Sequence, residues 1–398
     1  MHYESAAQGF DPRTLVSRRV LEPLLVGSRI VDARVEELVR EGRHVLELRP
    51  YPHRAMPPHV LQAVERAARS PVNPPSRGLL ELRQAICDTV GAEIGTAIDP
   101  ASEVLVTCGA MHALWLIFHA VLDPGDEVLV PSPCYFLEGI IQPLGARIVY
   151  VPMDERDEYR WDFGQLERAA GPHTKCLFLN TPINPTGRVL SEDELAAAAD
   201  LAERHNLLVV ADESYNKMIY DGLRHRSIAG FPGMRRRTVL VRSFTKSYAM
   251  PSWRVGFAIA PAGLTGPILH LLEWNLLFGS HVNQAAAAAA MLGPSQWLED
   301  VAAEFQRNRD LLWPAIQRTR TLHCVRPGGG PFFFLNVSQL RGTCQDVSRG
   351  LLERYGVPVT PGVNFHEEQH VRMAFGGDPE ILNETRRRLE TAASEMKS

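Results

Sequence analysis

Between residues 104 and 260 the chain carries seven short runs that are apolar almost throughout, separated by stretches long enough for a helix. They lie at 104–108, 127–130, 147–151, 176–180, 207–212, 238–242 and 255–260. Strands that are apolar at every position, instead of alternating, are buried on both faces, and burial on both faces requires helices above and below the sheet. The order therefore predicts an α/β fold with a doubly wound, mainly parallel sheet as the large domain. Beyond it the signals change. The alanine run 285–290 continues from Val282-Asn283-Gln284 as a close-packed helix. Residues 298–319 read as one long helix, and Phe332-Phe333-Phe334-Leu335-Asn336-Val337 as a strand after a Gly/Pro turn. That finish predicts a smaller α+β domain. The expected divisions are an N-terminal arm contributing to the small domain over 1–48, a large domain over 49–293 and a small C-terminal domain over 294–398. No internal repeat is evident.

Composition narrows the functional classes. A chain of 398 residues with 45% hydrophobic content can bury one large core and a second smaller one. A net charge of −4 gives no reason to expect nucleic-acid or membrane binding. No apolar run reaches the roughly 18 residues that span a bilayer, and the start Met1-His2-Tyr3-Glu4-Ser5 lacks the features of a signal peptide, so a cytoplasmic protein is expected. The six cysteines show no metal or redox spacing and read as reduced thiols. His366 and His370 stand four apart, but the histidines form no ligand cluster by spacing, and no metal is expected.

Lysine usage carries the chemistry. Of 42 basic residues only four are lysines, at 175, 217, 246 and 397. Where arginine serves nearly every surface charge, a surviving lysine is a candidate for what a guanidinium cannot do, such as forming an imine with a carbonyl. Lys246 follows the apolar run Thr238-Val239-Leu240-Val241 in a Ser/Thr-rich turn, Ser243-Phe244-Thr245-Lys246-Ser247, with Arg254 downstream. This segment resembles the lysine segment of the pyridoxal-phosphate enzymes of the aspartate aminotransferase family (class I/II, fold type I).

Further segments match that family in order. Asn180-Thr181-Pro182-Ile183-Asn184-Pro185-Thr186-Gly187 is similar to its Asn-Pro-Thr-Gly turn. Leu207 to Asp212 is an apolar run that ends in an acid, with Tyr215 three positions later; an α/β sheet places ligand groups at the carboxyl ends of its strands. The resemblance implies that Asp212 lies against the pyridine nitrogen of pyridoxal 5'-phosphate, and that Tyr215 and Asn184 bond the ring oxygen. Residues 103–114 read as strand, Gly turn and helix. The resemblance makes Gly109, Ala110 and Met111, with Ser243 and Arg254, the phosphate site, which suits a helix N-terminus and a guanidinium. It places Tyr135 over the face of the ring, and Arg372, in Gln369-His370-Val371-Arg372, on the α-carboxylate of the substrate. Pro361-Gly362-Val363-Asn364-Phe365 also follows the family pattern.

The implied function is a cytoplasmic enzyme acting on an α-amino acid through a Schiff base on Lys246 and a Cα carbanion, with Lys246 as anchor and general acid/base. An aminotransferase heads the readings. A lyase, an elimination or replacement enzyme, or a cyclising or oxidising enzyme of specialised metabolism remains open, because two segments depart from the pattern. The stretch 46–53 lacks the glycines common there, and Asn73 stands where the family usually has a tyrosine reaching across a dimer, so the groups facing the rest of the substrate are expected to come from Tyr51, Asn73 and loops that depart from the pattern. A non-catalytic sensor on this fold would need a DNA-binding module for which residues 1–45 are too short. The family's active sites lie between two subunits, so a homodimer with shared sites is implied; Ser280 either reaches the partner's site or caps a helix.

Overall fold

The computed structural model describes residues 15–17, 19, 27–52, 54–135 and 137–397. Seven strands form the large sheet: β1 Val104–Thr107, β2 Glu127–Ser132, β3 Arg147–Pro152, β4 Thr174–Asn180, β5 Leu208–Asp212, β6 Thr238–Ser243 and β7 Gly256–Ile259. Their spatial order is β1-β7-β6-β5-β4-β2-β3. Neighbours from β3 across to β6 are parallel, whereas β7 runs antiparallel to both β6 and β1. The apolar runs thus become the strands of an α/β sheet, each edge shifted by two residues or fewer.

Alternation along each strand sends neighbouring side chains into different cores. Val104 and Val106 of β1 and Leu240 of β6 join one cluster; Leu105, Val239 and Val241 join the other. Helices Ala110–Val121 and Glu192–Arg204 cover one face. Helices Leu80–Ile94 and His281–Leu292 cover the other, with Pro58–Arg69 against the latter. In His281–Leu292 the buried side chains Ala286, Ala287, Ala288 and Ala290 are single methyl groups, which lets the helix lie close to its neighbours. Ser191 starts Glu192–Arg204 with a reciprocal capping box to Glu194, satisfying two free N–H groups of the first turn.

A second, antiparallel sheet has the order β8-β10-β9, from β8 Phe332–Asn336, β9 Thr360–Pro361 and β10 His370–Ala374. Helices Gln296–Thr319, Cys344–Tyr355 and Pro379–Glu395 pack around it, and its core takes in Leu46 from the N-terminal side and Tyr215 and Tyr220 from the segment that follows β5. Inside that seam Arg309 is fully buried; its guanidinium meets Asp221, Asp310 and the carbonyl of Pro327. Among the described residues no helix is long and apolar enough to cross a membrane. The register of the large sheet aligns Asn180 with Asp212 and brings Ser243 opposite Gly256, so the carboxyl ends of β4, β5 and β6 open on one crevice facing β10.

Candidate active site

One end of the crevice is an anion cradle. Gly256 of β7 pairs with Thr107 of β1 on one side and Ser243 of β6 on the other. A Cβ on Gly256 would stand 2.7 Å from the carbonyl carbon of Gly109 and 2.9 Å from the nitrogen of Ala110, so only glycine lets the three strands close here. Gly109, at φ 88°, turns the chain into helix Ala110–Val121, whose first turn no side chain caps. Arg254 lies across this turn, with Nη2 donating to Cys108 O at 3.4 Å and Nη1 to Thr245 Oγ1 at 3.3 Å. A Cβ on Gly109 would meet Arg254 Nη2 at 2.7 Å. Ser243 caps the short helix Phe244–Ser247, its hydroxyl accepting from Thr245 N at 3.1 Å. Uncapped N–H groups, the positive end of a helix, a hydroxyl and a guanidinium in one place suit a phosphate.

At the centre, Asp212 ends β5 and is 4% exposed. Its Oδ1 accepts from Ser214 N at 2.9 Å and Ser214 Oγ at 2.6 Å, and its Oδ2 accepts from the Tyr135 hydroxyl. Burial pushes the carboxyl up, and these hydrogen bonds pull it back towards the ionised form. Tyr135 is thus engaged through its hydroxyl, with its ring edge-on to Phe178 at 5.8 Å. The phenol satisfies a buried acceptor.

Lys246, in the helix Phe244–Ser247, sends Nζ to Pro50 O at 3.1 Å. The amine lies 5.3 Å from the ring of Tyr51 and 6.0 Å from that of Tyr215. Burial, then the charges of Arg372 and Arg254, lower its pKa to about 7. An amine near neutrality at this pH is both a nucleophile and a proton acceptor.

Arg372 faces the crevice from β10. Its guanidinium lies 4.2 Å from the ring of Phe332 and 4.7 Å from that of Phe365, and Nη1 donates to Asn184 Oδ1 at 2.9 Å. Among the described residues it makes no salt bridge, and burial lowers its pKa to about 10. A planar guanidinium held between rings without a carboxylate is set up to take one from a ligand.

The residues expected from sequence therefore assemble in one crevice: Gly109, Ala110, Met111, Ser243 and Arg254 at the cradle, Asp212, Tyr135, Tyr215 and Asn184 at the centre, Lys246 between them and Arg372. The ring of Tyr51, expected with Asn73 to face the rest of the substrate, stands beside Lys246, whereas the backbone of Pro50 and the rings of Phe332 and Phe365 enter unannounced. The absence of glycine over 46–53 is the signal for Pro50; nothing in sequence aims the two phenylalanines at Arg372. Asn73 is exposed. Ser280 caps helix His281–Leu292 through Asn283 N at 3.4 Å. His366 and His370 go to different carboxylates, Glu138 at 2.7 Å and Glu155 at 3.2 Å.

Comparison with known proteins converges on one family. The family model described as aminotransferase class I and II matches residues 50–389. An aspartate aminotransferase from Pyrococcus abyssi is 34% identical over 329 residues, covering 81% of this chain and 84% of the relative. An aromatic-amino-acid aminotransferase from Thermococcus litoralis is 32% identical, with the same coverage of 81% and 84%. Among solved structures, the aspartate aminotransferase of Thermus thermophilus with maleate superposes with a TM-score of 0.90 at 30% identity, over 95% of this chain and 99% of that one.

Proposed function

The chain belongs to the class I and II aminotransferase family, and from that premise we propose how its own residues divide the work of a pyridoxal-phosphate-dependent aminotransferase acting on an α-amino acid. The cradle and the centre fit the cofactor: glycine at 109 leaves room beside Arg254 for an anion, and a buried carboxylate, Asp212, stands at the far side of the crevice. When bound, pyridoxal 5'-phosphate supplies a carbonyl carbon for amines and a ring that accepts the electron pair left when a proton leaves Cα. Gly109, Ala110, Met111, Ser243 and Arg254 hold the phosphate. Asp212 favours a proton on the ring nitrogen; Tyr215 and Asn184 bond the ring oxygen. Tyr135, beside Asp212, would cover the face of the ring. Arg372 grips the α-carboxylate of the substrate, and Lys246 Nζ takes the proton from Cα and returns it on the other side of the exchange.

The observation that carries this reading is the placement of the Lys246 amine in the crevice, 3.1 Å from Pro50 O and 6.0 Å from the ring of Tyr215, where burial and the charges of Arg372 and Arg254 lower its pKa. Its test is the visible absorbance of the purified protein, wild type against Lys246→Ala, followed by addition of amino acids without a keto acid. A Lys246-dependent band that is consumed as one equivalent of keto acid appears supports the assignment. A band indifferent to Lys246, or many turnovers with no keto-acid acceptor, refutes it.

The same reading includes a homodimer. Met111 is 40% exposed, Trp274 92% and Leu277 56%. Helix Ala110–Val121 packs against helix Ala262–Asn275, and Gln284 joins Leu79 N to Gly279 O, which brings the segments bearing these exposed apolar groups beside the cradle. Burying them against a second copy would close the cradle from solvent. Sedimentation of wild type and Leu277→Asp checks it: the wild type runs as a dimer and the variant dissociates with weakened cofactor retention, whereas a fully active monomer rules the dimer out.

A further inference from the structure

The stretch 49–52 is held from two sides. Arg49 N donates to Gly376 O at 2.8 Å and Gly376 N returns a bond to Arg49 O at 3.0 Å. Gly376 lies just past β10, so this pair ties the stretch to the strand that carries Arg372. A Cβ on Gly376 would lie 2.3 Å from Arg49 O, so the approach is as close as bare backbone permits. From the other side Pro50 O accepts the Lys246 amine at 3.1 Å. Pro50 and Pro52 flank Tyr51 and fix the backbone on either side of it. The half-buried ring lies 5.3 Å from Lys246 Nζ on this restrained backbone.

Tyr51 thus stands beside the Lys246 amine on a segment tied to the strand that carries Arg372, next to the Cα that these two groups would hold. We propose that Tyr51 is the specificity-determining residue of the amino-acid pocket and that it selects an aromatic side chain over an acidic one. This rests on the reading in which Arg372 and Lys246 hold the substrate. The phenol face offers apolar area and the negative side of its quadrupole, which favours a ring edge and opposes a carboxylate. The cations that act on Lys246 are Arg372 and Arg254, both committed. Arg49 and Arg54, beside Tyr51 in sequence, are each paired, with Glu47 and Glu304. A second carboxylate thus meets an aromatic wall and no unpaired arginine of this stretch. A pocket without a complementary charge leaves that carboxylate desolvated and unpaired.

The test mixes the holoenzyme rapidly with phenylalanine, alanine or aspartate and no keto acid, and follows decay of the visible band as a second-order rate constant. Wild type reacts with phenylalanine faster than with aspartate by roughly tenfold or more, the scale of a ring contact with buried area. Tyr51→Ala lowers the phenylalanine-to-alanine ratio by roughly tenfold, and Tyr51→Phe keeps it, because the ring and not the hydroxyl is the contact. A wild type that prefers aspartate overturns the proposal, and so does a Tyr51→Ala that slows phenylalanine and alanine equally. The wild-type ranking and Tyr51→Phe decide the matter even if Tyr51→Ala folds poorly. A Lys246-dependent band with the wrong ranking sinks only the Tyr51 assignment; absence of the band sinks the underlying reading as well.

Discussion

Arg372 Nη1 donates to Asn184 Oδ1 at 2.9 Å, so a single hydrogen bond joins β10 of the small sheet to the turn that leaves β4 of the large one. The same turn is anchored to Asp212, because Asn180 accepts from Asn184 N at 2.7 Å and donates to Asp212 O at 3.0 Å. The substrate-facing arginine and the buried acid are thus positioned through one short chain of amides.

That arrangement makes Arg372 irreplaceable by lysine. An ammonium cannot keep the bond to Asn184 while offering two parallel donors to a carboxylate between the rings of Phe332 and Phe365. Arg372→Lys should raise KM for the amino acid by roughly 10- to 100-fold, the scale of ~1.5–3 kcal/mol for hydrogen bonds to a charged group. Steady-state kinetics checks it, and an unchanged KM would remove Arg372 from the carboxylate site.

Asp212→Asn keeps the shape and two of the hydrogen bonds but deletes the charge. The expected loss in kcat is on the order of 10²–10³, comparable to removing one preorganised electrostatic partner of a transition state. The variant should still bind cofactor, which separates this effect from misfolding. An Asn variant as active as wild type would show that the charge is not used.

Lys246 gives a pH prediction with a definite sign. Unfolded, a lysine keeps its proton to about 10.5; folded, this one releases it near 7 because burial, Arg372 and Arg254 oppose the charge. Between those values the unfolded state binds more protons, so this group makes stability rise with pH across the window and imposes its full penalty below about 7. Cofactor-free Lys246→Met should therefore melt above cofactor-free wild type at pH 6, by roughly 1 °C for each ~1 kcal/mol relieved in a chain of this length. The gap should close towards pH 10. Calorimetry of the two proteins across pH decides it; a gap that does not vary with pH contradicts the assignment.

Gly256→Ala places a methyl group against the backbone of Gly109 and Ala110, within 2.9 Å of three atoms. Backbone cannot yield as a side chain does, so β7 and the helix start must part. Cofactor affinity should fall at least ~10-fold, equivalent to about 1.4 kcal/mol, measured by equilibrium dialysis. Retention at the wild-type level would show that the cradle adjusts freely.

Away from the site, Arg309 is 0% exposed and holds Asp221 Oδ2 at 2.7 Å and Asp310 Oδ1 at 2.7 Å. Arg309→Ala leaves the Pro327 carbonyl without its partner, Asp221 and Asp310 with Arg326 alone, and a cavity over Tyr220. The expected cost is about 3–5 kcal/mol, as for breaking a buried ion pair, read from denaturant unfolding. Arg309→Met should cost less, since it refills the volume.

Much of this protein is decided by local sequence. Apolar runs bounded by turns specify the strands, because burial on both faces leaves no alternative pattern; scarcity of lysine singles out Lys246, since imine chemistry needs an amine. Glycine at 109 and acid at 212 could be read because each meets a local requirement, a sharp turn into a helix and a strand end. Tertiary structure alone decided the relations between distant segments. Lys246 meets Pro50 and Tyr51 across a sequence gap that no periodicity encodes, Tyr135 reaches Asp212 because both are buried against the same core, and Arg372 is flanked by Phe332 through strand register and by Phe365 through the helical turn after β9. Local propensity fixes which elements form, whereas burial of long-range partners fixes where their side chains point, and the wall that faces the substrate belongs to the second kind.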